Sequence, residues 1–256
     1  MTSPAQAGET ETIQKRPLKE DVFDVLHEKI VSGRYKPGEW LRQDDIASGL
    51  GVSMTPVREA LDLLVAAGLA ERVPYRGVRV REMVTKDVVE AYGLRLIIEA
   101  IIAQEAARNI TPEQVKVLEK MLAEMGKYRS LKGISHIRQL SREFHSLIAE
   151  ASNNGLLTKV YDVVSNAFPD WLLYEAIFRK PGLLESSMDS MQNEHAAILD
   201  ALRKRDIENA VDKSIQHLME SGKWLVQYLD YPAELLHEKE EQVSSLLKTK
   251  NKEKTA

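Results

Sequence analysis

Residues 51–64, GVSMTPVREALDLL, determine the fold of the N-terminal part of this chain. They follow a short amphipathic segment at residues 43–50 and hold a tight turn, Gly51-Val52-Ser53, before a second helical pattern at residues 55–66. A helix, a short glycine turn and a second helix form a helix-turn-helix, whose second helix enters the major groove of DNA. The stretch therefore predicts a DNA-reading element.

The start of the second helix carries side chains suited to contacts with DNA. Ser53 is a good N-cap, and Pro56 lies in the first turn, where its missing N–H group costs nothing. Met54, Thr55 and Arg58 lie at the same end, and hydroxyl and guanidinium groups suit phosphates and guanine edges. The alternative is an ordinary helical hairpin in which the serine only caps a helix.

The flanking residues complete the pattern of a winged helix. Apolar residues at helical spacing predict a first helix upstream, and they are Val22, Leu26 and Ile30. Downstream, residues 70–81 read as a β-hairpin whose turn contains Pro74 and Gly77. Arg76 and Gly77 stand at the tip of this wing, where they can approach the DNA backbone or the minor groove.

Four segments carry a match to a known family. They are PGEWL at residues 37–41, LGVS at 50–53, TPVREAL at 55–61 and RGVRV at 76–80. With these motifs, residues 18–82 resemble the DNA-binding domain of the GntR family of bacterial transcription regulators. Met54 departs from the family, which usually has an arginine there, so one guanine contact is absent. The resemblance implies DNA contacts from Arg42, Ser53, Met54, Thr55, Pro56, Arg58, Arg76 and Gly77.

Composition limits the class of protein. The chain has 256 residues, which suggests two domains, and 43% of them are hydrophobic, so that each domain can bury a core. No stretch is apolar and long enough to cross a membrane, and no N-terminal secretory pattern is visible. The chain has no cysteine, which excludes disulfides and fits a reducing compartment. We expect a cytoplasmic protein without membrane partners.

The charge balance bears on the strength of DNA binding. The formal net charge is −4, which is unusual for a protein that binds a polyanion. The basic side chains are concentrated around the wing, as Arg72, Arg76, Arg79 and Arg81. A local basic face on an acidic protein predicts a modest, salt-sensitive affinity for DNA. It also predicts a homodimer, in which contacts with two half-sites add to the affinity.

The chain past residue 81 shows only helical patterns. Helices are predicted at residues 86–108, 111–128, 135–152, 156–178, 184–203 and 207–228. The fold class is therefore mainly α, with an N-terminal winged helix-turn-helix followed by an all-α antiparallel bundle. The expected domains are a disordered tail at 1–17, the winged helix at 18–82, the helical domain at 86–231 and a charged tail at 232–256 that frays into disorder.

Three histidines lie in the middle of three different predicted helices, beside apolar residues. They are His145, His195 and His217. Sites in helical bundles are built from inward side chains on facing helices, and imidazole suits Zn²⁺, Ni²⁺ or Fe²⁺. The residues alone leave the alternative open that these are separate surface histidines or hydrogen-bonded core histidines.

The second half also resembles a known domain. The motif FHSLIAEASNN at residues 144–154 and the segments around His195 and His217 are similar to the FCD domain of FadR-like members of the GntR family. That resemblance implies an all-helical effector domain in which an aspartate and three histidines hold a divalent metal. It also implies an effector site with Arg95 and Glu99, where the arginine fork clamps a carboxylate. The alternative for Arg95 is an exposed or Glu99-paired arginine.

Ser141 departs from the FCD pattern, because the family has its metal-binding aspartate at this position. A hydroxyl is a poor ligand, and the lost carboxylate removes a charge that offsets the metal. Zn²⁺ or Ni²⁺ could still bind to three histidines, with water or an effector carboxylate beside them. Alternatively, the metal is lost and the histidines bind an anionic effector directly. Phe168, Trp171, Tyr174 and Phe178 line the pocket or a dimer interface in this interpretation, although amphipathic packing explains them equally well.

These observations predict a cytoplasmic, homodimeric transcription regulator. Its winged helices bind a palindromic operator, and a small organic acid in the helical domain changes the affinity for DNA. Release of DNA by a repressor is the expected response, although the residues do not fix its sign. The alternatives are a metalloenzyme that uses the three histidines, for which no suitable acid or base spacing is present, and an effector-independent DNA-binding dimer.

Overall fold

Apolar residues at helical spacing organise most of the chain, and the computed structural model is accordingly mainly α-helical. It describes residues 17–82, 84–128, 134–167 and 180–252. The first part contains α1 (Leu18–Val31), α2 (Gln43–Leu50), α3 (Met54–Ala66), β1 (Ala70–Val73) and β2 (Gly77–Val80). The second part contains α4 (Thr85–Asn109), α5 (Pro112–Met125), α6 (Ile134–Ala151), α7 (Gly155–Ala167), α8 (Leu184–Arg203), α9 (Ile207–Leu229) and α10 (Ala233–Lys252).

The first part is a winged helix, as the sequence predicts. Helices α1 and α2 pack against α3, and Gly51 adopts φ 66°, the left-handed conformation that makes the turn between α2 and α3 tight. Strands β1 and β2 form an antiparallel hairpin in which Ala70 pairs with Val80. A bridge between Trp40 and Arg79 joins the segment before α2 to this hairpin.

Ser53 occupies the N-cap position of α3, but the details differ from the expectation. Its backbone is extended, as an N-cap requires, yet its hydroxyl makes no capping hydrogen bond within the described residues. Nothing in the helix therefore occupies this hydroxyl, and Ser53 is exposed at the end of α3. The position is as predicted, whereas the capping role of the side chain is not observed.

The second part is a bundle around α4, a helix of 25 residues. Helices α6, α7, α9 and α10 all pack against α4, while α5 packs against α6 and α8. Local capping starts two of these helices. Thr111 and Gln114 form a reciprocal capping box at α5, and the Asp206 carboxylate accepts a hydrogen bond from the Asn209 amide at 3.1 Å at the start of α9.

The prediction of a disordered tail from residue 232 is wrong for residues 233–252, which form α10. Leu236 and Val243 are buried on one face of this helix. Beside them, the Tyr92 hydroxyl donates a hydrogen bond of 2.6 Å to the Glu240 carboxylate, which fixes α10 against α4. The segment is rich in charged residues, so that its composition does not reveal the narrow apolar stripe.

Most of the buried apolar residues that the structure describes belong to two large clusters. One comprises α5–α8 with parts of α4 and α9, around Phe144, Leu118 and Leu202. The other is continuous from the winged helix to α4, α9 and α10, and it includes Leu26, Leu61, Leu96, Leu225 and Leu236. No described helix is both long and apolar enough to cross a membrane. The aromatic residues Phe168, Trp171, Tyr174 and Phe178 lie outside the described residues.

Candidate functional site: a DNA-reading face and a histidine cluster

The exposed end of α3 presents most of the predicted DNA contacts together. Met54 begins the helix with 37% of its surface exposed. Thr55 and Arg58 are exposed beside it, whereas Pro56 is half-buried. Arg42 is exposed at the N-cap position of α2. A helix N-terminus and these side chains form a surface that can bind phosphates and base edges.

The wing has less free positive charge than the sequence predicts. Gly77 adopts φ 117°, and the Arg76 guanidinium carbon lies 5.4 Å from the centre of the Trp40 ring. Arg79 is paired with Glu71 at 2.6 Å, and Arg72 is paired with Asp62. Two of the basic side chains counted for the wing are thus partly neutralised.

Tyr75 is a wing residue that the sequence analysis did not single out. It stands fully exposed at the tip with φ 62°. The predicted turn, Pro74-Tyr75-Arg76-Gly77, could have indicated the exposure of Tyr75, because a central turn residue points to solvent.

The three histidines come together from three helices. His145 of α6, His195 of α8 and His217 of α9 each offer a ring nitrogen, and these nitrogens all lie within 4.8 Å of one another. The Nε2 atoms of His145 and His195 are 3.0 Å apart. Nitrogens that share a tetrahedral Zn²⁺ at about 2.0–2.1 Å lie roughly 3.3 Å apart. The spacing therefore fits a shared metal ion.

The surroundings of the cluster keep two of its imidazoles, those of His145 and His195, in the neutral form that binds metal. Burial lowers the pKa of His145 well below its ordinary value, and His195, His217 and Arg95 lower it further. Burial also lowers the pKa of the fully buried His195, with His217 adding to the effect. Neutral imidazoles keep a lone pair for a metal, since a ligand must be deprotonated.

Glu194 is a functional candidate that sequence reasoning missed. Its carboxylate lies 2.6 Å from Nδ1 of His217, and a carboxylate there fixes the ring orientation and leaves Nε2 for a ligand. Adjacent residues on a helix point in different directions, so its position beside His195 in the sequence gave no sign that its carboxylate reaches His217 of α9. Behind this pair lies an open cleft of about 320 Å³, lined by Asn193, Glu194, Ala197, Lys213, Gln216, His217 and Glu220.

Ser141 lies one turn before His145 and faces the same cluster. Its hydroxyl oxygen is 3.5 Å from Nε2 of His195, at the outer limit of a hydrogen bond. The position is thus inside the site, as expected for the residue in place of the family aspartate. A neutral hydroxyl supplies no charge to offset a cation, so that the protein ligands of a metal here are all neutral.

Arg95 and Glu99 form a buried pair on α4. Nε of Arg95 donates to the Glu99 carboxylate at 2.6 Å, and the two side chains are only 4% and 7% exposed. The alternative of a Glu99-paired arginine is therefore the one observed. The pairing uses one of the five N–H donors of the guanidinium and holds its plane in a fixed orientation. Helix α4 packs against α6 and α9, which carry His145 and His217, and the positive charge of Arg95 lowers the pKa of His145.

Each of the two parts of the molecule matches a known protein family. Residues 18–80 match the family described as bacterial regulatory proteins, gntR family, and residues 90–220 match the FCD domain. The HTH-type transcriptional regulator YdhC of Bacillus subtilis is 27% identical over 78% of this chain and 92% of its own length. The HTH-type transcriptional repressor RspR of Escherichia coli is 27% identical over 86% of this chain and 95% of its own length.

A solved structure shares the fold. The structure of Escherichia coli McbR/YncC superposes with a TM-score of 0.59 at 22% identity, over 83% of this chain and 99% of that one. The matching family and the named relatives are transcription regulators and not enzymes. This chain is a transcription regulator with a DNA-binding winged helix, and it belongs to the gntR family of bacterial regulatory proteins, with an FCD domain as its second part.

Proposed function

We propose that the chain is a homodimeric repressor whose affinity for a palindromic operator is controlled by a small organic acid bound at the histidine cluster. Residues 18–82 read DNA in this proposal, and residues 86–231 bind the effector and dimerise. The convergence of His145, His195 and His217 within 4.8 Å carries it. A site built from three helices can sense a ligand, because occupancy changes how those helices pack.

His145, His195 and His217 would hold the metal ion, with Glu194 orienting the third ring. A bound Zn²⁺ or Ni²⁺ supplies a positive centre with open coordination positions for a carboxylate. Arg95 would bind the second oxygen of that carboxylate in this proposal, since a guanidinium fork suits a carboxylate and Arg95 is buried on α4, which packs against α6 and α9. A bound metal ion would supply the positive charge that attracts an anionic effector, since Glu99 pairs with Arg95 and Glu194 pairs with His217.

A second candidate keeps the regulator but omits the metal. Ser141 gives the cluster a hydroxyl where a carboxylate would offset a cation, which favours a direct anion site. In that case, Arg95, Ser141 and the histidine N–H groups bind the effector together. The DNA-binding role is the same in both versions.

An exposed apolar surface supports the homodimer. Leu94 and Ile101 of α4 are 50% and 42% exposed, and Leu156 and Val163 of α7 are 73% and 70% exposed. Helices α4 and α7 pack side by side, and we propose that a second copy covers these exposed apolar side chains. An isologous contact there would give a dimer with two-fold symmetry, as a palindromic operator requires. We expect this dimer to be in the cytoplasm.

Elemental analysis of the untagged protein beside His145→Ala tests the metal. We expect about one equivalent of zinc or nickel in the parent protein and a loss in the variant, because one of only three histidine ligands is gone. His237→Ala is the matched control, since His237 is 68% exposed on α10 and lies outside the cluster. Absence of metal after addition of Zn²⁺ would leave the direct anion site.

The effector is then sought by the release of operator DNA. An operator duplex selected from a randomised library is titrated with the protein in the presence of small carboxylates. The proposal expects at least one of them to weaken binding by about 5- to 150-fold, the usual range of allosteric coupling. The same carboxylate should have no effect on the His145→Ala protein. An operator affinity that no ligand or metal alters would instead support the effector-independent dimer.

A further inference from the structure

Helix α6 carries a histidine of the cluster and also touches the DNA-binding domain. Its Arg142 donates a hydrogen bond of 2.7 Å from Nη1 to the backbone carbonyl of Ala66. Ala66 is the last residue of α3, and the final carbonyls of a helix have no donor within the helix. A guanidinium at this end also interacts favourably with the helix dipole. Arg142 therefore caps the C-terminus of the helix whose N-terminus reads DNA.

Arg138 makes a second contact from the same helix, one turn earlier. It is 7% exposed, and its guanidinium carbon lies 5.5 Å from the centre of the Phe23 ring in α1. Phe23 is stacked on His27 of α1, and α1 packs against α3. Helix α6 thus contacts the DNA-binding domain both at the end of α3 and at the helix that supports it.

The two arginines and the site residues share one face of α6. At 100° per residue, positions 138, 141, 142 and 145 fall within an arc of about 100°, and they span roughly 10 Å along the axis. Residues 134–151 contain neither glycine nor proline, so that nothing in the sequence favours a kink. A displacement of α6 at His145 therefore displaces Arg142 by nearly the same distance.

We propose that α6 is the element through which the histidine cluster acts on the recognition helix, with Arg142 as the positioning residue on α3. This inference rests on the proposed function, because it specifies how the same cluster controls DNA binding. Binding at His145 and His195 sets the position of α6 against α8. Arg142 then sets the end of α3, and Arg138 sets α1. The coupling is reciprocal, so operator DNA must change the affinity of the cluster by the same factor.

Hydrogen exchange of the full-length protein tests the contact directly, with Zn²⁺ alone as the probe. The measurement follows the amides at residues 63–69, with and without the metal. Saturation with Zn²⁺ should change their exchange rates by about fivefold or more in the parent protein, and Arg142→Ala should abolish the change. Arg142→Lys should restore part of it, because an ammonium can still donate to the Ala66 carbonyl. Arg203→Ala, which removes an exposed arginine from α8, should respond like the parent.

A second measurement does not depend on metal. Operator dissociation constants are determined for His217→Ala, Arg142→Ala and the double variant, after circular dichroism shows that each is folded. His217 lies on α9, so the two sites should behave additively unless α6 couples them. His217→Ala should change the operator dissociation constant by some factor in the parent protein. We expect that factor to be at least threefold smaller in the Arg142→Ala background, which equals a coupling of about 0.65 kcal/mol.

The outcomes separate this inference from the proposed function. If the parent protein binds Zn²⁺ but the α3 amides do not respond, or if the double variant is simply additive, transmission through α6 is refuted while the metal site stands. If no Zn²⁺ binds, the metal version of the proposed function fails, and the variant cycle alone decides the inference. An operator affinity that His217→Ala leaves unchanged also refutes it.

Discussion

Replacing Glu194 by glutamine should weaken metal binding without altering any metal ligand. The Glu194 carboxylate lies 2.6 Å from Nδ1 of His217, and its side chain is 23% exposed. Loss of such a supporting partner costs about 10- to 100-fold in metal affinity. Glutamine keeps an oxygen that can accept the same hydrogen bond, and solvent screens part of the charge. We therefore expect the lower end, about tenfold, which equals about 1.4 kcal/mol.

The assay is a competition titration of Zn²⁺ against a chromophoric chelator of known affinity. Glu220→Gln is the matched control, because Glu220 lines the same cleft but pairs with Lys223 and not with a histidine. The control should change the affinity by less than about twofold, since an exposed charge contributes little. Equal losses in both variants would refute an orienting role for Glu194 and indicate only a general effect of negative charge on a cation nearby.

Three further predictions concern packing, DNA reading and pH. In Gly222→Ala, the new Cβ would lie 2.6 Å from the Tyr92 hydroxyl oxygen, so we expect a loss of about 1–3 kcal/mol and a Tm lower by roughly 2–10 °C. Gly155→Ala, which meets nothing within 4 Å, should show no such drop by calorimetry. Arg58→Ala should weaken operator binding by about 1–3 kcal/mol in a gel-shift titration, and equal weakening on random DNA would contradict base reading. His27 has its pKa lowered from 6.5 to about 3 by burial and then by Arg138. The unfolded chain therefore binds a proton that the folded chain rejects, and stability falls by about 1.4 kcal/mol per pH unit as the pH drops below about 6.5. Denaturant titrations should show that His27→Gln lowers the slope by about 1.4 kcal/mol per pH unit, while the contribution of the buried His145 and His195 remains. An unchanged slope would disprove the assignment.

The parts of the fold that depend on local chemistry could be predicted from the sequence. The turn between α2 and α3 needs a residue with positive φ, and Gly51 supplies it. Thr111 and Pro112 indicate the start of α5, which the structure places at Pro112 with Thr111 as its N-cap. The bounds of α8 are those expected, because apolar residues recur at helical spacing from Leu184 to Leu202.

The details that the sequence could not supply depend on residues far apart in the chain. The pairing of Glu194 with His217 spans 23 positions and two helices, and no periodicity encodes which faces meet. The contact of Arg142 with Ala66 spans 76 positions. Helix α10 was missed for another reason, since its charged residues outweigh Leu236 and Val243 in any average over the segment. Its burial becomes visible only when α4 provides the surface.

The buried cluster that runs from α1 and α3 to α10 joins the two ends of the chain in one folding unit. A boundary drawn between the winged helix and the bundle would therefore cut through packed side chains and not through a linker. Changes to α10 far from both sites would lower the fraction of molecules competent to bind DNA, simply by shifting the folding equilibrium. The abundance of active regulator in a cell would thus depend partly on α10, a helix that carries none of the residues assigned to DNA or effector binding.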